Sequence, residues 1–175
     1  MLSNKMQEAL NTQINAELYS AYFYLSMSAY YESVNLPGFA NWMRVQYQEE
    51  TFHGLKLYDY VNSRGGRVTL TAIDGPPTEW GAALAPFEDT YKHEQKVTGL
   101  INNLVDVAIA ERDHATNAML QWFVTEQVEE EKNASDIVSQ IKLLKDAPNG
   151  IFMIDRELAM RVYVPPTPAA QGGAP

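Results

Sequence analysis

A small set of acidic and imidazole side chains interrupts the apolar stripes of the segments that the hydrophobic pattern predicts as long helices. Glutamate and histidine are ligands that proteins use for divalent transition metals. Ionised acids are rarely buried without partners, and no Lys or Arg occupies these predicted stripes. Two divalent cations would balance four carboxylates, with the imidazole as a neutral ligand. The pattern therefore predicts a buried dinuclear metal site with these ligands: Glu17, Glu50, His53, Glu94 and Glu130.

The positions of these residues form a repeat, because adding 77 to 17, 50 and 53 gives 94, 127 and 130. Residues three apart share one helix face, so Glu50 projects with His53, and Gln127 with Glu130. The midpoint of Glu17 and His53 is position 35, and the midpoint of Glu94 and Glu130 is position 112. Each midpoint falls at a predicted turn. Antiparallel helices joined at those turns place each set at one level, so we expect all of them to converge inside a bundle.

Oxygen ligands with a single imidazole favour iron or manganese, and a dinuclear site of these metals suggests redox work on dioxygen or peroxide. Tyr24 lies about two turns after Glu17 on the same face. It either serves a metal-bound oxygen, by hydrogen bonding or electron donation, or fills the core. Three further acids, Glu49, Glu126 and Glu129, lie about 100° around the helix from the central ligands. Their composition alone predicts an ordinary solvated face.

The elements that must position these side chains are predicted by the spacing of the nine prolines, which leaves long tracts free to form helices. The predicted elements are a first helix from Ser3 or Asn4 to about Val34, a second from Pro37 to Gly65, a crossover with a short β-like stretch at Val68–Ile73, a third helix from about Gly81 to Ala110, a fourth capped by Asp113 and ending before Pro148, and a short fifth at Ile151–Tyr163. This order predicts an all-α four-helix bundle with one long crossover and a short fifth C-terminal helix. Residues 164–175, with four prolines and no charge, predict a flexible tail.

Composition excludes several classes of function. The net charge of −9 argues against nucleic acid as a partner and favours cations. The absence of cysteine excludes disulfides, iron–sulfur clusters and a thiol nucleophile. No apolar run is long enough to cross a bilayer, so we expect a soluble, cytoplasmic protein without a membrane partner. The two remaining histidines, His93 and His114, do not match the stripe pattern, and we expect both at the surface.

Five motifs carry a resemblance to a known family: INAELYSAYFYLSM in the first helix, NWMRVQYQEETFH in the second, RGGRV at the crossover, HE at Glu94, and WFVTEQVEEE in the fourth helix. With these motifs, from Met6 to Arg161, the chain resembles the non-haem ferritins of bacteria and archaea. The resemblance implies a ferritin-like di-iron domain over residues 1–163, followed by the tail.

The resemblance also implies an activity. It is that of a ferroxidase, which oxidises Fe(II) with dioxygen or peroxide at a di-iron centre, in a homo-oligomeric shell of twenty-four subunits that stores ferric mineral. The implied ligands are Glu17, Glu50 and His53 for one iron, Glu50, Glu94 and Glu130 for the other with Gln127 nearby, and Glu49, Glu126, Glu129 and Glu130 for a third iron.

Related families differ at informative positions. Bacterioferritins, which bind haem, repeat Glu-x-x-His in the fourth helix and carry a methionine after the second-helix glutamate. This chain has Gln127-x-x-Glu130 and Thr51 at those places, so we expect no haem. Rubrerythrin-like peroxidases commonly add a cysteine-ligated iron domain, which a chain without cysteine cannot form. Two alternatives to storage remain open, a di-iron or di-manganese oxidoreductase acting on peroxide and a structural bundle without metal.

The number of aromatic and apolar residues outside the predicted stripes favours an oligomer. They exceed what one bundle core can cover, and uncovered apolar patches usually mark interfaces. The residues in question are Tyr22, Tyr30, Tyr31, Leu36, Tyr47 and Tyr58.

Overall fold

The computed structural model describes residues 2–144 and 146–165, and this part of the chain contains five helices. They are α1 (Asn4–Ser33), α2 (Pro37–Ser63), α3 (Ala85–Ala110), α4 (His114–Leu144) and α5 (Gly150–Leu158). The predicted all-α fold is confirmed, and Ser3 caps α1 by accepting a hydrogen bond from the Met6 amide. Of the predicted tail, residues 166–175 lie outside the described residues.

The two short turns have the same structure, as the 77-residue repeat predicts. Asn35 and Arg112 end α1 and α3 with positive φ angles of 58° and 54°. The amide of the next residue then donates to a carbonyl of the preceding helix in both turns. Leu36 donates to Tyr31 at 3.0 Å, and Asp113 donates to Ala108 at 2.8 Å. Consequently α2 and α4 begin 77 residues apart, and each hairpin places its polar residues in the same register.

The crossover between α2 and α3 runs along the length of α1. Three hydrogen bonds define its path, from the Arg67 amide to Gln7 (2.8 Å), from Asn15 to the Ala72 carbonyl (3.1 Å) and from the Tyr31 hydroxyl to the Ala83 carbonyl (2.6 Å). These contacts advance from the N-terminal to the C-terminal end of α1, so α3 starts beside the end of α1 and runs antiparallel to it. The second hairpin therefore packs against the first.

Three predicted boundaries are wrong. Residues 68–73 form no strand, because side chains of α1 rather than another strand bond to the backbone of the crossover. The third helix begins at Ala85, not near Gly81, with Pro86 in its first turn, where a missing amide is tolerated. The fifth helix ends at Leu158, five residues before Tyr163, and Asn41 of α2 bonds to the carbonyls that follow its end.

The core consists of two apolar clusters with a polar layer between them. One lies towards the α1–α2 turn and includes Tyr31, Phe39 and Phe87, and the other lies towards the opposite end and includes Leu10 and Leu57. All five of these side chains are fully buried. The polar layer is therefore sealed by apolar side chains along the bundle axis, which keeps it away from bulk water.

The short helix α5 is docked on the N-terminal end of α2. Asp155 Oδ1 accepts hydrogen bonds from the backbone amides of Gly38 (2.8 Å) and Phe39 (3.1 Å), two of the amides that a helix start leaves without partners. A Cβ at position 38 would lie 1.7 Å from the Asp155 carbonyl oxygen, so this close approach requires glycine. Ile154 and Leu158 complete the docking by entering the core cluster at this end.

The prediction of a surplus of surface aromatics is correct in part. Tyr22 and Tyr58 are exposed, but Tyr31 is fully buried, and Tyr30 and Tyr47 pack partly against the core. Tyr31 is covered because its ring packs against Phe39 of α2 and Phe87 of α3, and its hydroxyl bonds to the Ala83 carbonyl of the crossover. Within residues 2–144 and 146–165, no helix combines the length and apolar character that a membrane span needs.

Candidate metal centre

The polar layer brings together one residue of α1 and two residues of α2. Ligand atoms of Glu17, Glu50 and His53 all lie within 4.8 Å of one another. All three side chains are buried, with 1%, 1% and 3% of their surfaces exposed. His53 Nδ1 lies 3.6 Å from Glu50 Oε2, as the spacing of three residues on a helix allows. This geometry can hold one divalent cation.

Several oxygen atoms of the layer have no hydrogen-bond partner. They are Glu17 Oε2, Gln46 Oε1 and both carboxylate oxygens of Glu50. A buried acceptor without a partner costs about 1–3 kcal/mol, and more when it is charged. A cation bound among these oxygens would remove that penalty, so the donor set fits a metal ion.

The second hairpin contributes Glu94 from α3 with Gln127 and Glu130 from α4. The Gln127 amide donates to Glu94 Oε2 at 3.2 Å, and Gln46 of α2 donates to Glu130 Oε2 at 2.9 Å. The hydroxyl of Tyr24 donates to the other oxygen of Glu94. The predicted residues thus lie in one layer, but amide and phenol donors already occupy an oxygen of each carboxylate in this half.

Burial and mutual repulsion make the central carboxylates difficult to ionise without a cation. Burial, followed by the charges of Glu94 and Glu17, raises the pKa of Glu50 well above its usual range. Burial and the neighbouring Glu130 raise the pKa of Glu94 to about 8. Burial also lowers the pKa of His53, which keeps its imidazole neutral and able to act as a ligand. A cation bound in the layer would oppose the raised pKa values of Glu50 and Glu94 by favouring their ionised forms.

Two glutamines of the layer were not predicted as site residues. Gln13 donates to Glu17 Oε1 at 2.9 Å, and Gln46 bridges from α2 to Glu130. Each precedes a central glutamate by four residues and so shares its helix face, since Glu17 follows Gln13 and Glu50 follows Gln46. That spacing is the signal that could have identified them. Both amides orient a carboxylate for its role in the layer.

The prediction of a surface role is wrong for His93, although His114 is exposed as expected. The His93 ring packs 4.9 Å from Phe23 and 6.0 Å from Tyr24, measured between ring centroids, and its Nε2 lies 2.7 Å from Ser20 Oγ. Burial, with a smaller contribution from Lys96, lowers the pKa of His93 to about 4. This histidine is therefore a neutral packing residue between α1 and α3, behind Tyr24.

The three outer acids line a cavity of about 140 Å³ next to the centre. We call it the Glu49 pocket, and its walls include Glu49, Glu126, Glu129, Glu130, His53 and Arg161. Glu129 is exposed, whereas Glu49 and Glu126 are partly buried, so a fully solvated face is not what the structure shows. Burial raises the pKa of Glu49 to about 7 even though the Arg161 guanidinium opposes that rise.

Arg161 is the residue of this region that the sequence pattern did not indicate. Its Nη2 lies 2.6 Å from Glu49 Oε2, although the two residues are 112 positions apart. No helix periodicity connects a residue after α5 with one in the middle of α2. The prediction of an all-acidic outer site therefore omitted a cation that the structure places at its wall.

Comparison with known proteins places this geometry in a family. A profile of the ferritin-like domain matches residues 7–144. A bacterial non-heme ferritin of Bacteroides fragilis is 48% identical over 161 residues, which cover 92% of this chain and 100% of that protein. The Archaeoglobus fulgidus ferritin engineered to a closed form has 52% identity and a TM-score of 0.92, covering 94% of this chain and 100% of that one. The open-pore ferritin of the same archaeon has 52% identity and a TM-score of 0.91 over 93% and 100%. The profile spans both hairpins and all the central residues, and the chain therefore belongs to the ferritin family.

Proposed function

We propose that this chain is an iron-storage ferritin subunit with ferroxidase activity. It oxidises Fe(II) to Fe(III) with dioxygen or peroxide in the polar layer and stores the product as ferric mineral inside a homo-oligomeric shell, with 24 subunits as the expected number. The observation that carries the proposal is the set of buried carboxylate oxygens of Glu17 and Glu50 without hydrogen-bond partners. The names of the relatives, which are ferritins, support it.

The ligands of the substrate iron are assigned by position. We assign the first Fe(II) to Glu17, Glu50 and His53. The mutual distances of their ligand atoms support this assignment. Glu50 also reaches the second Fe(II), because both of its oxygens are unsatisfied and it lies between the two hairpins. The remaining ligands of the second iron are Glu94 and Glu130, with Gln127 nearby.

The carboxylates of the second position already have hydrogen-bond donors in the layer. Glu94 and Glu130 accept hydrogen bonds from Tyr24, Gln127 and Gln46, which would orient these carboxylates toward the ion or give way to it. The Tyr24 hydroxyl lies against Glu94 at the second position, where it can donate a proton or hydrogen bond to the oxidant. We therefore assign Tyr24 a role at the oxidant rather than as a ligand.

The charge balance favours movement of the product out of the layer. Two Fe(II) ions supply the two electrons that reduce dioxygen to hydrogen peroxide, with the uptake of two protons. Two Fe(II) ions carry a charge of +4 against four carboxylates, whereas two Fe(III) ions leave an excess of +2. The adjacent Glu49 pocket supplies further carboxylates from Glu49, Glu126 and Glu129, so we assign it as the third iron site that receives the ion leaving the centre.

Aerobic addition of Fe(II) in large excess, followed by size exclusion with iron analysis, tests the proposal. We expect many irons per chain to co-elute with a large particle, and the same addition without oxygen should form no mineral. About two irons per chain and no mineral would instead indicate an oxidoreductase that does not store iron.

A further inference from the structure

We propose that Arg161 is the internal counter-cation of the Glu49 pocket and that its guanidinium competes with a bound metal ion for the Glu49 carboxylate. The inference rests on the proposed function, in which this pocket is the third iron site. It assigns to a residue outside the four-helix bundle the control of how tightly that site holds an ion.

The ion pair occupies the carboxylate that a third iron would use. Arg161 Nη2 and Glu49 Oε2 are 2.6 Å apart, and the two side chains are only 21% and 25% exposed. Ion pairs at this depth are screened less by solvent than surface pairs. A metal ion that takes Oε2 must therefore break a charge-assisted hydrogen bond, and one that binds the other oxygen shares the carboxylate with a positive charge, so Arg161 lowers its affinity in either case.

Arg161 has contacts with α2 besides its ion pair with Glu49, among them a hydrogen bond of 3.5 Å from its Nη1 to the Trp42 carbonyl. Its backbone carbonyl accepts a hydrogen bond from Asn41 of α2 at 2.9 Å. Its guanidinium carbon lies 4.4 Å from the ring centroid of Trp42. The backbone is thus anchored, while the aromatic face supports the guanidinium whether or not it contacts Glu49.

The charges around the pocket are unequal. Its walls carry four carboxylates, from Glu49, Glu126, Glu129 and Glu130, and the cation on the wall is Arg161. The nearby Lys56 lies over the Trp122 ring at 4.1 Å and acts electrostatically on Glu126 rather than on Glu49. Arg161 compensates one carboxylate, whereas a multivalent ion can contact several. The ion therefore prevails at high local concentration, and the guanidinium returns when the ion leaves.

Because of this competition, an ion binds in the Glu49 pocket only transiently. An ion there is bound less tightly than four carboxylates alone would bind it, so it can pass on. Without Arg161 the pocket would retain its ion and slow the regeneration of the centre.

Calorimetric titration of the assembled protein with Fe(II) under argon tests the inference. We expect two binding events at the centre and a weaker third event in the wild type. R161Q should tighten the third event about tenfold, the factor expected when one charge-assisted contact no longer competes. R161K, which keeps the charge but loses the planar fork, should fall between the two. R156Q is the matched control, because Arg156 is an exposed residue of α5, and it should leave all events unchanged.

The possible results separate the inference from the function on which it rests. A third event that is weaker in R161Q would mean that Arg161 merely positions Glu49, and an unchanged third event would mean that it does not compete; either result overturns the inference. E49Q tests the site itself and should abolish or greatly weaken the third event. If the third event persists in E49Q, the assignment of the third iron site fails. If E49Q removes it while R161Q leaves it unaltered, only the role of Arg161 fails.

Discussion

Among single residues, Glu50 has the least satisfied environment in the polar layer. It is 1% exposed, both of its oxygens lack hydrogen-bond partners, and its burial, followed by three other glutamates, raises its pKa. Such a residue weakens the metal-free fold, since a buried acceptor without a partner is costly. The structure is thus arranged for a ligand at the expense of stability in its absence, which two predictions at this scale address.

The first prediction concerns the ligands. Replacing Glu50 and Glu130 together with Ala should reduce the initial rate of Fe(II) oxidation by at least about a hundredfold, because both iron positions lose anionic ligands. Stopped-flow absorbance after mixing the protein with Fe(II) in the presence of oxygen measures this initial rate. The exposed pair Glu8 and Glu32, changed to Ala in the same way, serves as the control and should retain the wild-type rate. Rapid oxidation in the first variant would contradict the assignment of the centre.

The second prediction concerns pH. Without metal, the folded chain raises the pKa of Glu94 from 4.5 to about 8. Between pH 4.5 and pH 8 the folded state therefore binds more protons than the unfolded state. The stabilising contribution of Glu94 is therefore complete below about pH 4.5 and is lost as the pH rises through 8. Urea unfolding of metal-free protein should show a loss on the order of 2–4 kcal/mol from pH 5 to pH 8.

Glu94→Gln provides the control for that measurement, because glutamine does not titrate and can keep a similar volume. The slope of stability against pH should be smaller in this variant, and added Zn(II) should restore stability to the wild type at pH 8. An equal slope in both proteins would show that Glu94 is not the responsible group.

At the scale of elements, the two hairpins follow from local sequence and α5 does not. Each hairpin has a left-handed residue at its turn and an apolar stripe with polar residues at fixed distances from that turn. The helix α5 has only nine residues, too few for a stable isolated helix. Its position depends on the bonds of Asp155 to the start of α2 and on the absence of a side chain at Gly38.

The third prediction tests this docking. Gly38→Ala should lower the thermal midpoint markedly, with a loss of about 3 kcal/mol or more, because the added Cβ would overlap the Asp155 carbonyl. Gly99→Ala is the matched control, since nothing lies within 4 Å of a Cβ there and alanine favours the helix by about 0.8–1.0 kcal/mol. In scanning calorimetry, the thermal midpoints of the two variants should therefore shift in opposite directions from that of the wild type. Equal shifts would show that the close contact at Gly38 is not required.

At the scale of the whole molecule, a single chain leaves apolar surface uncovered. Several large apolar side chains around α5 and at the end of α4 are largely exposed, namely Leu143, Phe152, Met153, Met160 and Val162. Tyr22 and Tyr58 are exposed on the first hairpin. Clusters of this kind usually mark surfaces that other subunits cover.

The fourth prediction is that the protein assembles. Light scattering at physiological salt should give a mass close to 24 times the 19.7 kDa of one chain. Phe152→Glu, on the exposed face of α5, should lower that mass while leaving the far-ultraviolet circular dichroism unchanged. A strictly monomeric wild-type protein, with or without metal, would contradict the expectation.

The sequence by itself determined the four long helices, the repeat of 77 residues and six members of the polar layer, although not Gln13 and Gln46. These features are local, because helix periodicity fixes which residues share a face and the turn position fixes which residues lie at one level. Helix periodicity could therefore place six residues in one layer without coordinates: Glu17, Glu50, His53, Glu94, Gln127 and Glu130. Whether they bind iron stays a prediction.

Only the tertiary structure decided which partners these residues meet. The bond from Gln46 to Glu130 joins residues 84 positions apart, and the ion pair of Arg161 with Glu49 spans 112. The half-burial of His93 likewise depends on the packing of α3 against the aromatic side of α1. No local periodicity encodes such contacts, since they depend on how the hairpins, the crossover and α5 pack together.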